Sequence, residues 1–147
     1  MNILFICTGN TCRSPMAEGI LKDLARKNKL SINVKSAGLC AIDGGSISKD
    51  AVSVLEDIDI DISHIRSTLI NEDLIKEADL ILTMSQRHKR NLILKYPHIK
   101  EKIFLLNEYA FNINKDVADP FGMGRLYYEQ TRDEIYKAVE KIVNSEF

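Results

Sequence analysis

The chain has 147 residues, of which 45% are hydrophobic and 28% charged, and its formal net charge is −1. This length predicts one domain, residues 1–147, which is long enough to bury a hydrophobic core without disulfides or structural metal ions. The charge balance lacks the basic excess of a nucleic-acid-binding protein, and no apolar run approaches the roughly 18 residues of a membrane span. We therefore expect neither nucleic acid nor a membrane as a partner.

Three cysteines, Cys7, Cys12 and Cys40, are an odd number, and two of them fall within one short loop. Secreted disulfide frameworks use even numbers of cysteines at wider spacings, so this pattern favours a reducing compartment. We expect a cytoplasmic protein.

The chain opens with an apolar strand, residues 2–6, and then turns into a helix over residues 15–28. The turn between them, residues 7–14, reads CTGNTCRS and is named the anion loop here. Such a loop points successive backbone N–H groups inward, and the helix dipole adds positive potential there. Ser14 suits the N-cap and Pro15 the first helical position. The sequence therefore predicts an anion site just before the helix.

Cys7 and Arg13 stand at the two ends of the anion loop. N–H donors and a guanidinium favour the thiolate form of Cys7, and a planar arginine can bind two phosphate oxygens at once. A thiolate nucleophile in an anion cradle can carry out phosphoryl transfer through a phosphocysteine. The spacing alone is weak, since it also fits a buried cysteine and a surface arginine, but the strand, turn and helix around it favour catalysis.

Strands and helices alternate through the rest of the chain. The predicted strands cover 31–35, which ends in Ser36-Ala37-Gly38, then 79–84 and 102–106; the predicted helices cover 49–57, 71–78, 85–95, a turn at 107–111, and 125–143. This alternation predicts an open parallel α/β sheet, whose ligands bind beyond the carboxyl ends of the strands. The loop 39–48 leaves the same edge as Cys7 and is expected to wall the site.

Asp119 is the candidate general acid, on a late loop that also leaves the carboxyl end of a strand. Pro120 biases Asp119 towards an extended backbone, while Gly122 and Gly124 leave the loop able to move. An Asp-Pro pair alone usually marks only a turn. Its placement opposite Cys7 favours proton transfer to a leaving group.

The segment 7–18, CTGNTCRSPMAE, together with Ser36-Ala37-Gly38 and Asp119-Pro120, resembles the low-molecular-weight protein tyrosine phosphatases over essentially the whole chain. This resemblance implies a four-stranded parallel sheet of order 2-1-3-4 with helices on both faces and a phosphatase loop between strand 1 and helix 1. It implies a phosphocysteine at Cys7, with Asp119 as the acid and then as the base that activates water. Inorganic phosphate would be the product, and no metal or organic cofactor would be needed.

The resemblance also implies roles for the residues around the nucleophile. Substrate and phosphate would contact Thr8, Gly9, Asn10, Thr11, Cys12, Ser14 and Phe121. Asn10, Ser14, Ser36 and His64 would form hydrogen bonds that hold the loop open and favour the thiolate. A surface or core position for His64 remains the alternative. His88 and His98 lie in charged surroundings and are assigned to the surface.

Cys12 has two interpretations. The family suggests a reversible Cys7–Cys12 disulfide that would switch the enzyme off, because a reactive thiolate is easily oxidised. The alternative is a small apolar residue that packs behind the loop, and both can be true.

Thr11 and a shortage of aromatic residues set this chain apart from the family's tyrosine phosphatases. Those enzymes usually carry a branched aliphatic residue at this position and stack the substrate ring from both sides, whereas this chain has no Phe, Tyr or Trp between Phe5 and Tyr96. Thr11 with Asp-Pro-Phe-Gly is similar to the bacterial protein-arginine phosphatases. That similarity implies phosphoarginine in proteins as substrate, with Asp119 gripping the guanidinium.

Phosphotyrosine in proteins is the alternative substrate, and other classes are more remote. An arsenate reductase would relay electrons through further cysteines after the third strand, and residues 84–90 contain none. A phosphocysteine carrier or a non-catalytic phosphate-binding module would not need both Arg13 and Asp119. The sequence therefore favours a phosphatase.

Overall fold

The computed structural model describes residues 1–147 and contains one parallel sheet of four strands in the order β2-β1-β3-β4. The strands are β1 Asn2–Cys7, β2 Asn33–Gly38, β3 Leu80–Thr83 and β4 Ile103–Leu105. The helices are α1 Arg13–Lys27, α2 Lys49–Glu56, α3 Glu72–Glu77, α4 Gln86–Lys95, a 3₁₀ helix Pro97–Lys102, α5 Leu106–Phe111 and α6 Arg125–Glu146. The predicted fold class and strand order are confirmed.

The apolar runs of β1 and β3 place them at the centre of the sheet, where both faces are covered. Successive residues of β1 point to opposite faces, so Phe5 joins the larger core cluster while Leu4 and Ile6 join the smaller one. Helices α1, α2, α5 and α6 cover the first face, and α3 and α4 cover the second. None of the helices combines the length and apolar character that a membrane span requires.

Most element boundaries differ from the prediction by one to three residues, and two of these differences lie beside the site. Strand β2 begins at Asn33 and includes residues 36–38, because these pair with the end of β1. Helix α1 begins at Arg13 with Cys12 as its N-cap, so the prediction of Ser14 as the cap was wrong. The Ser14 hydroxyl is instead bonded to Cys7 and Asn10, and therefore cannot cap the helix.

The carboxyl edge of the sheet gathers the predicted site residues. Cys7 ends β1 and is in register with Gly38 at the end of β2. The N–H of Val117 donates to the carbonyl of Met84, just beyond β3, and so anchors residues 112–124, named the Asp119 loop here. The fold thus brings the anion loop and the Asp119 loop to one edge, as predicted.

Candidate active site

The anion loop is wound tightly over the end of β2. Asn10 is fully buried and has a left-handed backbone, with φ of 54°, which asparagine tolerates better than most residues. Gly38 lies directly beneath it, where a Cβ atom would approach the carbonyl oxygen of Thr8 to 2.5 Å and the amide nitrogen of Asn10 to 2.8 Å. The Ser-Ala-Gly sequence at the end of β2 therefore ends on a glycine because the loop backbone occupies the space of a side chain.

A chain of hydrogen bonds leads from Cys7, the candidate nucleophile, into the protein. The Cys7 Sγ lies 2.8 Å from the Ser14 hydroxyl, which accepts from the Asn10 side-chain amide at 2.8 Å. The same amide donates to the Ser36 hydroxyl at 2.9 Å, and Ser36 donates to the Glu18 carboxylate at 2.6 Å. All five residues are more than nine-tenths buried, and the four other than Cys7 are polar or charged. The chain therefore orients Cys7 and shields it from solvent.

Glu18 and Asn10 set the direction of this chain. The Glu18 carboxylate only accepts, so Ser36 must donate to it and accept from Asn10. The backbone N–H of Thr68 donates to the Asn10 Oδ1 at 2.8 Å, which fixes the orientation of that amide. The Ser14 oxygen therefore accepts from Asn10, which leaves its hydrogen free to be donated to Cys7. A donor aimed at the sulfur is what a thiolate nucleophile requires.

Asn10, Ser14 and Ser36 join this chain as the resemblance implied, but His64 does not. Its side chain is exposed, and no hydrogen bond connects it to the other three residues. Glu18 closes the chain instead and is paired with Lys22 at 2.5 Å. Glu18 lies one helical turn after Ser14 on the buried side of α1, and that i, i+4 spacing is the signal that could have identified it.

Arg13 is buried beneath the Asp119 loop and spans both parts of the site. Its Nη1 donates to the carbonyl of Val117 at 2.9 Å, and its Nη2 lies 3.7 Å from the Asp119 Oδ2. The backbone contact holds the guanidinium plane, while the longer contact leaves Asp119 weakly attached. The structure thus brings together Cys7, Arg13 and Asp119, the three predicted catalytic residues.

The tip of the Asp119 loop is open to solvent. The Asp119 side chain is 55% exposed, and its Oδ1 accepts the backbone N–H of Phe121 at 3.1 Å. Phe121, two residues after Asp119, is 71% exposed, so its ring is free to contact a bound side chain. Gly122 and Gly124 adopt positive φ values of 74° and 95° with open space around them.

Cys12 is packed behind the anion loop and reduced. Ser48 donates to the Tyr128 hydroxyl, so the Tyr128 hydrogen is available to the Cys12 Sγ at 3.1 Å. Burial raises the pKa of the Cys12 thiol and raises that of Tyr128 to about 12, which keeps both groups neutral. This arrangement supports the packing interpretation; the reversible Cys7–Cys12 disulfide stays a prediction.

Thr11 lies half-buried at the mouth of the anion loop. Its carbonyl accepts the N–H of Ser48 at 2.8 Å, which ties the loop to the residue that caps α2. Its hydroxyl has a single contact, 3.5 Å from the Cys12 Sγ. That hydroxyl therefore keeps hydrogen-bonding capacity for a substrate.

His88 is part of the site, and its assignment to the surface was wrong. It is 2% exposed, and its Nε2 lies 2.7 Å from the hydroxyl of Thr8, the residue that follows Cys7 in the sequence. Burial lowers the pKa of His88 to about 4, with Arg13 and Arg87 acting in the same direction. Its place in the first turn of the helix after β3, at the same sheet edge as Cys7, is the signal that could have revealed it.

Known proteins match this arrangement over almost the whole chain. A protein-arginine-phosphatase of Bacillus subtilis (strain 168) is 41% identical over 142 residues, which are 97% of this chain and 94% of that relative. The low molecular weight protein-tyrosine-phosphatase PtpB of Staphylococcus epidermidis is 39% identical over 142 residues, covering 97% of this chain and 96% of its own.

A solved structure also matches. It is that of a YwlE arginine phosphatase mutant with a phosphorylated active-site serine, which superposes with a TM-score of 0.95 at 39% identity and covers 98% of this chain and 94% of that one. The sequence profile of the low molecular weight phosphotyrosine protein phosphatases matches residues 2–146. The chain therefore belongs to the low molecular weight phosphotyrosine protein phosphatase family.

Proposed function

We propose that this protein hydrolyses phosphoarginine residues in proteins through a phosphocysteine at Cys7. The observation that carries the proposal is the 2.8 Å contact between the Cys7 Sγ and the Ser14 hydroxyl, at the end of a buried chain of hydrogen bonds that leaves the Ser14 hydrogen free to be donated to the sulfur. A non-catalytic phosphate site has no use for a buried cysteine held in this way. The relative named a protein-arginine-phosphatase supports the choice of phosphoarginine among the family's substrates.

Chemistry begins when the Cys7 thiolate attacks phosphorus and the phosphorus–nitrogen bond breaks. The electron pair goes to the guanidine nitrogen, to which protonated Asp119 gives its proton. Arg13 and the N–H groups of the anion loop stabilise the charge on the phosphoryl oxygens. The substrate side chain leaves with the proton, and Cys7 carries the phosphoryl group.

Water then attacks the phosphocysteine, and the Asp119 carboxylate takes its proton. The phosphorus–sulfur bond breaks, the Cys7 thiolate is regenerated, and inorganic phosphate leaves. Exposure of Asp119 supports this double role, because both the leaving group and water can reach it.

Thr11 supports phosphoarginine over phosphotyrosine. A planar guanidinium carries several N–H donors and needs acceptors around it, which the Thr11 hydroxyl and the Asp119 carboxylate can supply together. A second substrate, phosphotyrosine, is favoured by the exposed ring of Phe121 beside the acid and by the tyrosine phosphatase relative. One aromatic wall offers less stacking than two.

The test compares kcat/KM on two peptides of the same sequence, one phosphorylated on arginine and one on tyrosine, with Cys7→Ser as the inactive blank. We expect preference for the arginine peptide, and a loss of roughly tenfold in that preference in Thr11→Ile, since one hydrogen bond to a charged group is removed. Thr11→Ser, which keeps the hydroxyl, is the matched control and should retain the preference. Higher kcat/KM for the tyrosine peptide would replace the proposal with the tyrosine phosphatase, and turnover of neither peptide would reject both.

A further inference from the structure

The contact between Thr8 and His88 joins two residues 80 positions apart, just behind the nucleophile. Thr8 follows Cys7 directly, and its carbonyl accepts the N–H of Cys40 at 2.9 Å. Its hydroxyl has no partner in the protein other than His88, 2.7 Å away. The backbone of Thr8 is therefore held by the segment that follows β2, and its side chain is held by α4.

The second ring nitrogen of His88 identifies its tautomer. His88 Nδ1 is buried and has no hydrogen-bond partner. A neutral imidazole carries one N–H donor and one bare acceptor nitrogen. Buried N–H groups without acceptors are rare, so the proton belongs on Nε2, where Thr8 can accept it.

Burial, with two nearby arginines, keeps the His88 ring neutral. Arg13 from α1 and Arg87 from α4 oppose a positive charge on His88, while Asp116 and Asp119 from the Asp119 loop favour it. Burial adds to the effect of the arginines. The neutral ring donates from Nε2, so the hydrogen of the Thr8 hydroxyl is not used by His88.

We propose that His88 is a positioning residue: its Nε2–H donates to the Thr8 Oγ1 and directs the hydrogen of that hydroxyl towards an oxyanion bound in the anion loop. The proposal rests on the proposed function, which supplies the phosphoryl group as that oxyanion. Thr8 then adds a side-chain donor to the backbone N–H groups of the cradle. Thr8 is only half-buried, and it belongs to the loop that forms the cradle.

The test uses four variants: Thr8→Val, His88→Leu, the double variant Thr8→Val/His88→Leu, and His88→Gln. Three quantities are measured for each, namely the Kd of inorganic phosphate by calorimetry, kcat/KM for p-nitrophenyl phosphate, and the free energy of unfolding. We expect Thr8→Val to weaken phosphate binding roughly tenfold, because a hydrogen bond to a charged group is lost. His88→Leu should weaken it several-fold, and His88→Gln, whose amide nitrogen can reach the position of Nε2, should restore most of the loss.

The double variant separates positioning from a purely structural role. Replacing both partners of a buried hydrogen bond by apolar groups of similar shape costs little stability, so its free energy of unfolding should return towards that of the wild type. Phosphate affinity should stay low, since no hydroxyl remains. The proposal would be overturned if the double variant recovered phosphate affinity together with stability. It would also be overturned if all four variants bound phosphate as tightly as the wild type.

Two further readouts complete the test. In ¹⁵N NMR spectra we expect the His88 ring to carry its proton on Nε2, and a proton on Nδ1 would contradict the assignment. Turnover of p-nitrophenyl phosphate by the wild type tests the proposed phosphatase activity separately. Phosphate affinity still reports on Thr8 and His88 if that turnover is absent.

Discussion

The anion loop and the Asp119 loop meet at one sheet edge but are held in opposite ways. Within the anion loop, Asn10 and Ser14 are fully buried and hydrogen-bonded to each other. The Asn10 side chain also has hydrogen bonds to Ser36 and Thr68. In the Asp119 loop the base is fixed, where Val117 donates to Met84 and accepts from Arg13, whereas Asp119 and residues 121–124 are exposed. The cradle is thus preorganised for an anion, whereas the acid can move over different leaving groups.

Replacing Asp119 should separate the two loops most clearly. Asp119→Asn removes the proton donor without touching the anion loop, so kcat for phenyl phosphate should fall by roughly 10²–10⁴. The loss should be smaller for p-nitrophenyl phosphate, whose leaving group needs less protonation. Inorganic phosphate should bind as in the wild type, measured by calorimetry.

Asp116→Asn is the matched control for this change. Asp116 lies at the base of the same loop and accepts the N–H of Gln86 at 2.8 Å, which an asparagine oxygen can also accept. We expect nearly normal kcat. An equal fall in both variants would mean that loop position, and not proton transfer, limits the rate.

Acidification should weaken the fold through His88, which supports the anion loop from behind. Its pKa in the folded protein is about 4, against 6.5 for the free side chain, so between these values the unfolded chain binds more protons. Stability is therefore complete above pH 6.5 and falls as the pH drops towards 4, by about 3 kcal/mol from this residue. Denaturant unfolding at several pH values measures the slope.

His88→Gln should flatten that slope because it removes the titrating group. His98→Gln, at an exposed histidine, is the control and should leave the slope unchanged. A wild-type slope that persists in His88→Gln would assign the acid sensitivity to other groups.

Gly38 allows the anion loop to lie close against β2. In Gly38→Ala the new Cβ would meet two backbone atoms of the loop, which cannot move aside as a side chain could. We expect a loss of about 2 kcal/mol in the free energy of unfolding and weaker phosphate binding. In Gly9→Ala the new Cβ would have its nearest neighbour at 3.6 Å, a side-chain oxygen, so stability should change little. Equal losses in the two variants would contradict the close-approach argument.

Local patterns in the sequence are sufficient to predict the strands and to bring the candidate catalytic residues to one edge of the sheet. Apolar runs such as that of β1 end at turn residues, and the turn after β1 sets the spacing between Cys7 and Arg13. Parallel strands then oblige Asp119 to reach the same edge. The strand order 2-1-3-4 came from the family resemblance, because a pattern of strands and helices does not state which strands pair.

The misplaced residues depend on contacts between distant segments. His88 carries charged neighbours in sequence, yet its partner is Thr8, from the first turn of the chain. His64 follows a polar segment that no local pattern aligns with the site, and it remains exposed. Ser14 matched the composition of an N-cap, but its hydroxyl is used by Cys7. Tertiary hydrogen bonds therefore override the local preference at His88 and Ser14, whereas His64 was misplaced because its alignment with the site was wrong.

Glu18 offers the finest test of the difference between the two loops, because it acts on Cys7 only through the direction of hydrogen bonds. A glutamine of the same shape can present its amide N–H₂ to Ser36, which already accepts from Asn10. Ser36 then either leaves its own hydrogen without an acceptor or gives up the bond from Asn10, and loss of that bond loosens the amide that fixes Ser14. We expect Glu18→Gln to lower kcat/KM for p-nitrophenyl phosphate about fivefold, equivalent to ~1 kcal/mol. Lys22→Gln removes the exposed partner of Glu18 and keeps the carboxylate, so it should have almost no effect. If both variants lose activity equally, the charge pair matters and not the direction of the chain; if neither does, the orientation of Ser14 is set by Asn10 alone.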